Sequence, residues 1–93
     1  MPEIARFYGI VIFMYFFDHN PPHLHAQYGR AKAIFRLSDA KLLRGELPPV
    51  ASQLVTGWMA EHRAELEENW RRAAAGESPE RIVGPDGRER VPL

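Results

Sequence analysis

Apolar residues follow two different rhythms along the chain. From Ile4 to Leu43 they come in short runs rich in β-branched and aromatic residues, interrupted by Gly9, by Asp18 to Pro22, by Gly29-Arg30 and by Ser38-Asp39. This is the pattern of strands joined by turns. From Pro49 to Ala75 the apolar positions recur at helical spacing instead. The pattern predicts an α+β fold: a small, mostly antiparallel sheet of four to five strands, packed on one face by one long C-terminal helix.

Residues 4 to 8 lead through Gly9 into Ile10 to Phe17, the most hydrophobic run of the chain, so a first hairpin is expected around the glycine. Read as one strand, that run points Ile10, Ile12, Met14 and Phe16 to one side and Val11, Phe13, Tyr15 and Phe17 to the other. Both sides are apolar, and a single helix covers only one of them. The second side therefore suggests a small partner protein or a homo-oligomer.

After the Asp18 to Pro22 turn, His23 to Tyr28 and Ala31 to Leu37 read as strands joined by the two-residue loop Gly29-Arg30. The loop fixes the register: Tyr28 opposes Ala31, Gln27 Lys32, Ala26 Ala33, His25 Ile34, Leu24 Phe35 and His23 Arg36. Leu24, Ala26, Tyr28, Ala31, Ala33, Phe35 and Leu37 then form the core face. His23, His25, Gln27, Lys32, Ile34 and Arg36 form a polar, mildly basic one.

Lys41 to Glu46 is expected as a short last strand ending at Gly45. Pro48-Pro49 opens the helix, since proline fits the first helical position, and Gly76 caps it. At 1.5 Å per residue the helix would run for roughly 40 Å. Leu54, Val55, Trp58, His62, Leu66 and Ala73 lie on its apolar stripe, with Val50, Met59 and Trp70 at the margins, and His62 is expected to be a core histidine. Glu67 with Arg71 and Glu68 with Arg72 occupy its ionic face at the favourable i,i+4 order. Residues 1–83 form one domain. Residues 84–93 read as a C-terminal extension, and the turn chemistry between Ile82 and Val91 suits a small hairpin or a frayed tail.

Twelve Lys plus Arg balance twelve Asp plus Glu among 93 residues, so no global field favours nucleic acid or anionic lipid. The chain contains no cysteine, which excludes disulfides, thiolate ligands and Cys nucleophiles and points to the cytoplasm. Ile10 to Phe17 is too short to cross a bilayer, which takes about 20 apolar residues, so no membrane association is expected.

Three of the four histidines fall within Asp18-His19-Asn20-Pro21-Pro22-His23-Leu24-His25. His23 and His25, two apart on a strand, point to the same side about 6–7 Å apart at the backbone, a workable spacing for two ligands of one metal. His19 or Asp18 from the turn can supply a third. The candidate ligand set is His19, His23 and His25 for a divalent metal such as zinc or nickel. The same imidazoles suit acid-base chemistry near neutral pH or contact with an anion, and a solvent-facing edge or protein interface accounts for them equally. Arg36, with Lys32 and Arg30 nearby, could stabilise charge, which makes His23, His25 and Arg36 the candidate catalytic residues. No phosphate-binding glycine loop, H-E-x-x-H motif or nucleophile elbow is present.

The box D/E-H-x-P-P-H-x-H-x-x-Y-G, carried by Asp18 to Gly29, resembles that of a family of small bacterial proteins of unassigned function. Gly45-Glu46-Leu47-Pro48, Trp58, His62-Arg63, Glu65-Leu66 and Trp70 extend the likeness, with Pro22, Tyr28 and Gly29 among the matched positions. Members are often suspected components of toxin–antitoxin pairs. The resemblance thus implies a bacterial, cytoplasmic, single-domain chain with a protein partner, and assigns its residues no roles. Two functions are carried forward. One is an interaction module of a two-protein, toxin–antitoxin-type system. The other is a small enzyme, an RNase-like toxin or metal-dependent hydrolase, built on His23 and His25, with RNA a better nucleic-acid candidate than DNA.

Overall fold

Five strands follow one another in space in the order of the chain: β1 (Glu3–Phe7), β2 (Ile10–Phe13), β3 (His23–Tyr28), β4 (Ala31–Arg36) and β5 (Leu42–Gly45), all antiparallel. The computed structural model describes residues 2–87. Every β3–β4 pair expected from the two-residue loop is present, from Tyr28 opposite Ala31 to His23 opposite Arg36. Gly29 takes a φ of 58°, a left-handed conformation that glycine adopts at no steric cost.

One face of the sheet is the core. Leu24, Ala26 and Phe35 are buried there with Ile10 and Ile12 of β2 and Ala5 and Phe7 of β1. Tyr28, expected in this core, is instead 42% exposed. It ends β3 beside the hairpin loop and lies over Gly9 of the neighbouring hairpin. The apolar run also departs from the expected strand. Pairing stops at Phe13, Met14 remains buried, and Tyr15, Phe16 and Phe17 emerge into an exposed turn.

The single long helix is not formed. Its place is taken by two helices, α1 (Pro49–Glu61) and α2 (Arg63–Ala74), separated at His62, whose φ of −121° and ψ of 28° are not helical. The hydrogen-bond ladder survives the break. The His62 N–H still reaches the Trp58 and Met59 carbonyls at 3.1 and 3.3 Å, and the Leu66 N–H reaches the His62 carbonyl at 2.9 Å. Size supplies a reason for the bend. A straight helix over 49–74 would measure about 39 Å, longer than the 36 Å long axis of the molecule. Turning at His62 lets Ala51, Val55, Trp58 and Met59 from α1, and Leu66, Asn69 and Ala73 from α2, all be buried.

Gly76, with φ 79°, ends α2. Its N–H donates to Ala73 O and the Glu77 N–H to Arg72 O, at 3.0 and 2.8 Å, as in a glycine C-cap. Arg71 and Arg72 both pair with Glu68 on the ionic face of α2.

The chain then returns across the helices. The Asn69 side chain holds the Glu80 backbone through two bonds of 2.8 and 2.9 Å, and the indole N–H of Trp58 donates to the Val83 carbonyl at 2.8 Å. The Ile82 N–H donates to Ile4 O at 2.8 Å, and Gly84 lies against Phe7. No strand forms between Ile82 and Gly87; the rest of the expected hairpin lies outside the described residues.

Candidate metal centre

β3 is in register with β2 as well as β4, so Phe13, His25 and Ile34 form one row across the open face of the sheet. Phe13 stacks on the His25 ring at 5.2 Å, and Tyr15 meets that ring edge-on at 4.6 Å. His23, two residues earlier on the same side of β3, lies 5.2 Å from His25 between ring centres and packs on Trp70 of α2 at 5.1 Å. Both imidazoles are thus oriented by aromatic neighbours.

The turn from β2 to β3 brings a carboxylate over them. Phe17, at a φ of 55° unusual for a bulky residue, ties this turn to α2 through its N–H on the Ala73 carbonyl at 2.9 Å. Asp18 then directs one oxygen, Oδ2, at both histidines. His23 Nε2 lies 2.9 Å from it and His25 Nε2 3.6 Å. The other oxygen, Oδ1, accepts the His19 N–H at 2.8 Å.

Hydrogen bonding constrains the rings. His23 Nδ1 lies 2.7 Å from the Pro21 carbonyl, which can only accept, so Nδ1 carries a proton. The opposite nitrogen faces a carboxylate oxygen at 2.9 Å, and such an approach needs a proton or a cation between the two atoms. His25 Nε2 is buried and has no hydrogen-bond partner. Burial, reinforced by the neighbouring His23 and opposed by Asp18, holds the His25 imidazole below its ordinary range. The neutral ring keeps a lone pair available. Burial works to raise the Asp18 carboxyl, but the His19 amide and the His23 ring outweigh it and leave the group below its ordinary value.

One ligand atom from each of Asp18, His23 and His25 lies within 4.8 Å of the others. In a tetrahedral site with bonds of 2.0–2.1 Å, neighbouring donors stand about 3.3 Å apart. Small side-chain adjustments therefore suffice to enclose a divalent ion. The Pro21 carbonyl on His23 Nδ1 is the outer partner that a ligating histidine ordinarily has.

His19 is on the rim, its side chain 87% exposed and its Nε2 3.7 Å from Asp18 Oδ1. Arg36 stands beside His23 across the strands but makes a two-pronged pair with Asp39, at 3.0 and 2.6 Å. His62 is apart from this cluster, packed on Trp58 at 5.5 Å and bonded to Glu65 at 2.6 Å. Sequence reasoning gave no site role to Phe13, Tyr15 or Trp70. The β2–β3 register would have revealed Phe13, whereas Trp70 required the bend between the helices.

A family model described as a domain of unknown function, DUF4160, matches residues 9–71, and the chain belongs to that family. The match spans β2 to most of α2 and so contains the whole histidine cluster. No curated protein matches the chain, and no solved structure does.

Proposed function

We propose that this member of the DUF4160 family binds one divalent transition-metal ion, zinc or nickel, through Asp18, His23 and His25, and that the centre serves hydrolytic chemistry. The observation that carries this reading is the buried, unpartnered Nε2 of His25, 3.6 Å from the same Asp18 oxygen that His23 approaches. A buried polar nitrogen without a partner costs about 1–3 kcal/mol, and an ion at this point would satisfy it. Three nitrogen and oxygen ligands leave a coordination position open, as in catalytic zinc sites, whereas structural sites are usually closed by four protein ligands. Such an ion acts as a Lewis acid and activates water. His19, on an exposed side chain, is the nearest candidate for a fourth ligand.

Titration of untagged, metal-free protein with zinc and nickel by calorimetry tests the proposal. One ion per chain is expected in the wild type. Binding should be lost in His23→Ala/His25→Ala and in Asp18→Asn, which keeps the side-chain shape. An absence of stoichiometric binding to the wild type would overturn it.

A second reading, an interaction module of a toxin–antitoxin-type pair, is supported by the surface away from the centre. Edge strand β5 is exposed along its whole length, including Leu42 and Leu43, and Phe17 is 74% exposed. Unpaired edges and apolar patches invite association. Light scattering of the same sample at high concentration should then show self-association, or a partner should co-purify. A monomer with no partner would remove the physical basis of this reading.

A further inference from the structure

The row that contains His25 continues across β4 to β5, where Arg44 stands opposite Ile34. Lys32 lies on the same face of β4, two residues before Ile34 and opposite Gln27. Together with Phe13 and Tyr15, these side chains line a groove of about 160 Å³ that reaches His25. Its chemistry is asymmetric. The two cations stand on the β4–β5 side, His25 stands one strand further in with Phe13 and Tyr15 beyond it, and Ile34 is the aliphatic residue between. No acidic residue lines it.

We infer that this groove is a subsite for a phosphate ester, with the phosphoryl group held between Lys32 and Arg44 and directed at the Asp18–His23–His25 centre. The contact with the centre rests on the metal reading above; the two cations stand independently of it.

Availability separates these cations from the others on the sheet. Arg36 is committed to Asp39, and Arg6 to Glu3. Lys32 and Arg44 make no ion pair among the described residues, and both are exposed. An ammonium and a guanidinium on adjacent strands can each give a charge-assisted hydrogen bond to one anion. Neighbouring strands lie about 4.8 Å apart, so His25 and Arg44 are separated by about 10 Å of backbone, a gap that a long arginine side chain and a small anion can bridge. With an ion held by Asp18, His23 and His25, the groove would have three electropositive corners, which suit a tetrahedral group with three free oxygens better than a carboxylate with two. The groove is below the roughly 300–1,000 Å³ typical of drug-sized ligand sites. It therefore takes the phosphoryl group and a small substituent, with Phe13, Tyr15 and Ile34 as the apolar wall for the latter.

Phenyl phosphate serves as the probe and benzoate as its carboxylate counterpart. Both are titrated by NMR into metal-free and zinc-loaded protein, wild type and Lys32→Ala/Arg44→Ala. Both substitutions replace exposed side chains, and circular dichroism checks the fold. Phenyl phosphate is expected to bind the zinc-loaded wild type more tightly than the metal-free form. Its affinity should fall at least tenfold in the double variant while zinc stoichiometry stays unchanged. Equal affinity in wild type and variant would overturn the inference, as would benzoate binding as tightly as phenyl phosphate, or no binding to either form. If the chain takes up no zinc, the metal-free arm decides alone: binding that depends on the two cations upholds the subsite, and its absence removes it.

Discussion

The two faces of the sheet are built from the same strands, yet they solve opposite problems. On the face covered by α1 and α2, Leu24, Ala26 and Phe35 are almost completely buried in one core with Trp58 and Leu66, and shape alone must fill the space. On the open face, His23 and His25 are largely removed from solvent by the Asp18 turn, Phe13, Tyr15 and Trp70. There every polar atom needs a partner, and one nitrogen has none. The covered face thus carries stability, and the open face carries an unmet valence that a ligand can satisfy.

The largest expected effect lies on the covered face. Trp58→Ala removes packing on Phe7 and the bond to Val83 and should cost about 3–5 kcal/mol. In a domain of this size that lowers Tm by at least about 12 °C, as thermal unfolding would show. An effect of the same size from a substitution at His25 would break the contrast between the faces.

The intermediate effect belongs to the open face. His25→Phe puts an apolar ring between Phe13 and Tyr15 and removes the unpartnered nitrogen. Metal-free stability should stay within about 1 kcal/mol of wild type or rise. Zinc at a hundred times its Kd should stabilise the wild type by about 2.7 kcal/mol and this variant not at all. Calorimetric scans with and without zinc measure both quantities.

The smallest effect concerns the rim, where the returning chain is fastened to β1. The Arg6 guanidinium holds the Glu3 carboxyl at about 2 against an ordinary 4.5; burial opposes it and Arg81 assists. A carboxyl depressed in the folded state contributes stability that is fully present above about 4.5 and is lost as pH falls toward 2. Partly exposed ion pairs are worth less than about 1 kcal/mol. Acid titration of urea unfolding should therefore show a shallow loss over that window that is smaller in Glu3→Gln, the remainder coming from other depressed carboxyls such as Asp39, while the Trp58→Ala deficit remains the same across it.

The sheet was legible because its information is local. A two-residue loop at Gly29-Arg30 leaves one register for β3 and β4, and alternation then assigns each side chain to a face. The helical region was legible in pattern but not in shape. Periodicity marked Val55, Trp58, Leu66 and Ala73 correctly, but nothing in it records that a straight helix would exceed the long axis of the molecule. Asn69 escaped because a buried amide is recognisable only once its partner, the Glu80 backbone 11 residues later, is in place. At the site, His23-Leu24-His25 announced two convergent imidazoles. The role of Asp18 was one of two options offered by the turn, and the commitment of Arg36 to Asp39 depended on how the following turn folds back.

β3 occupies the middle of the sheet, and Leu24, fully buried in the core, separates the two histidines of the centre on the opposite side. The strand that carries the two histidines therefore cannot peel away while the core stays intact. Amide protons from His23 to His25 should consequently exchange with solvent only through global unfolding. An occupant of the centre would slow that exchange by the free energy with which it binds.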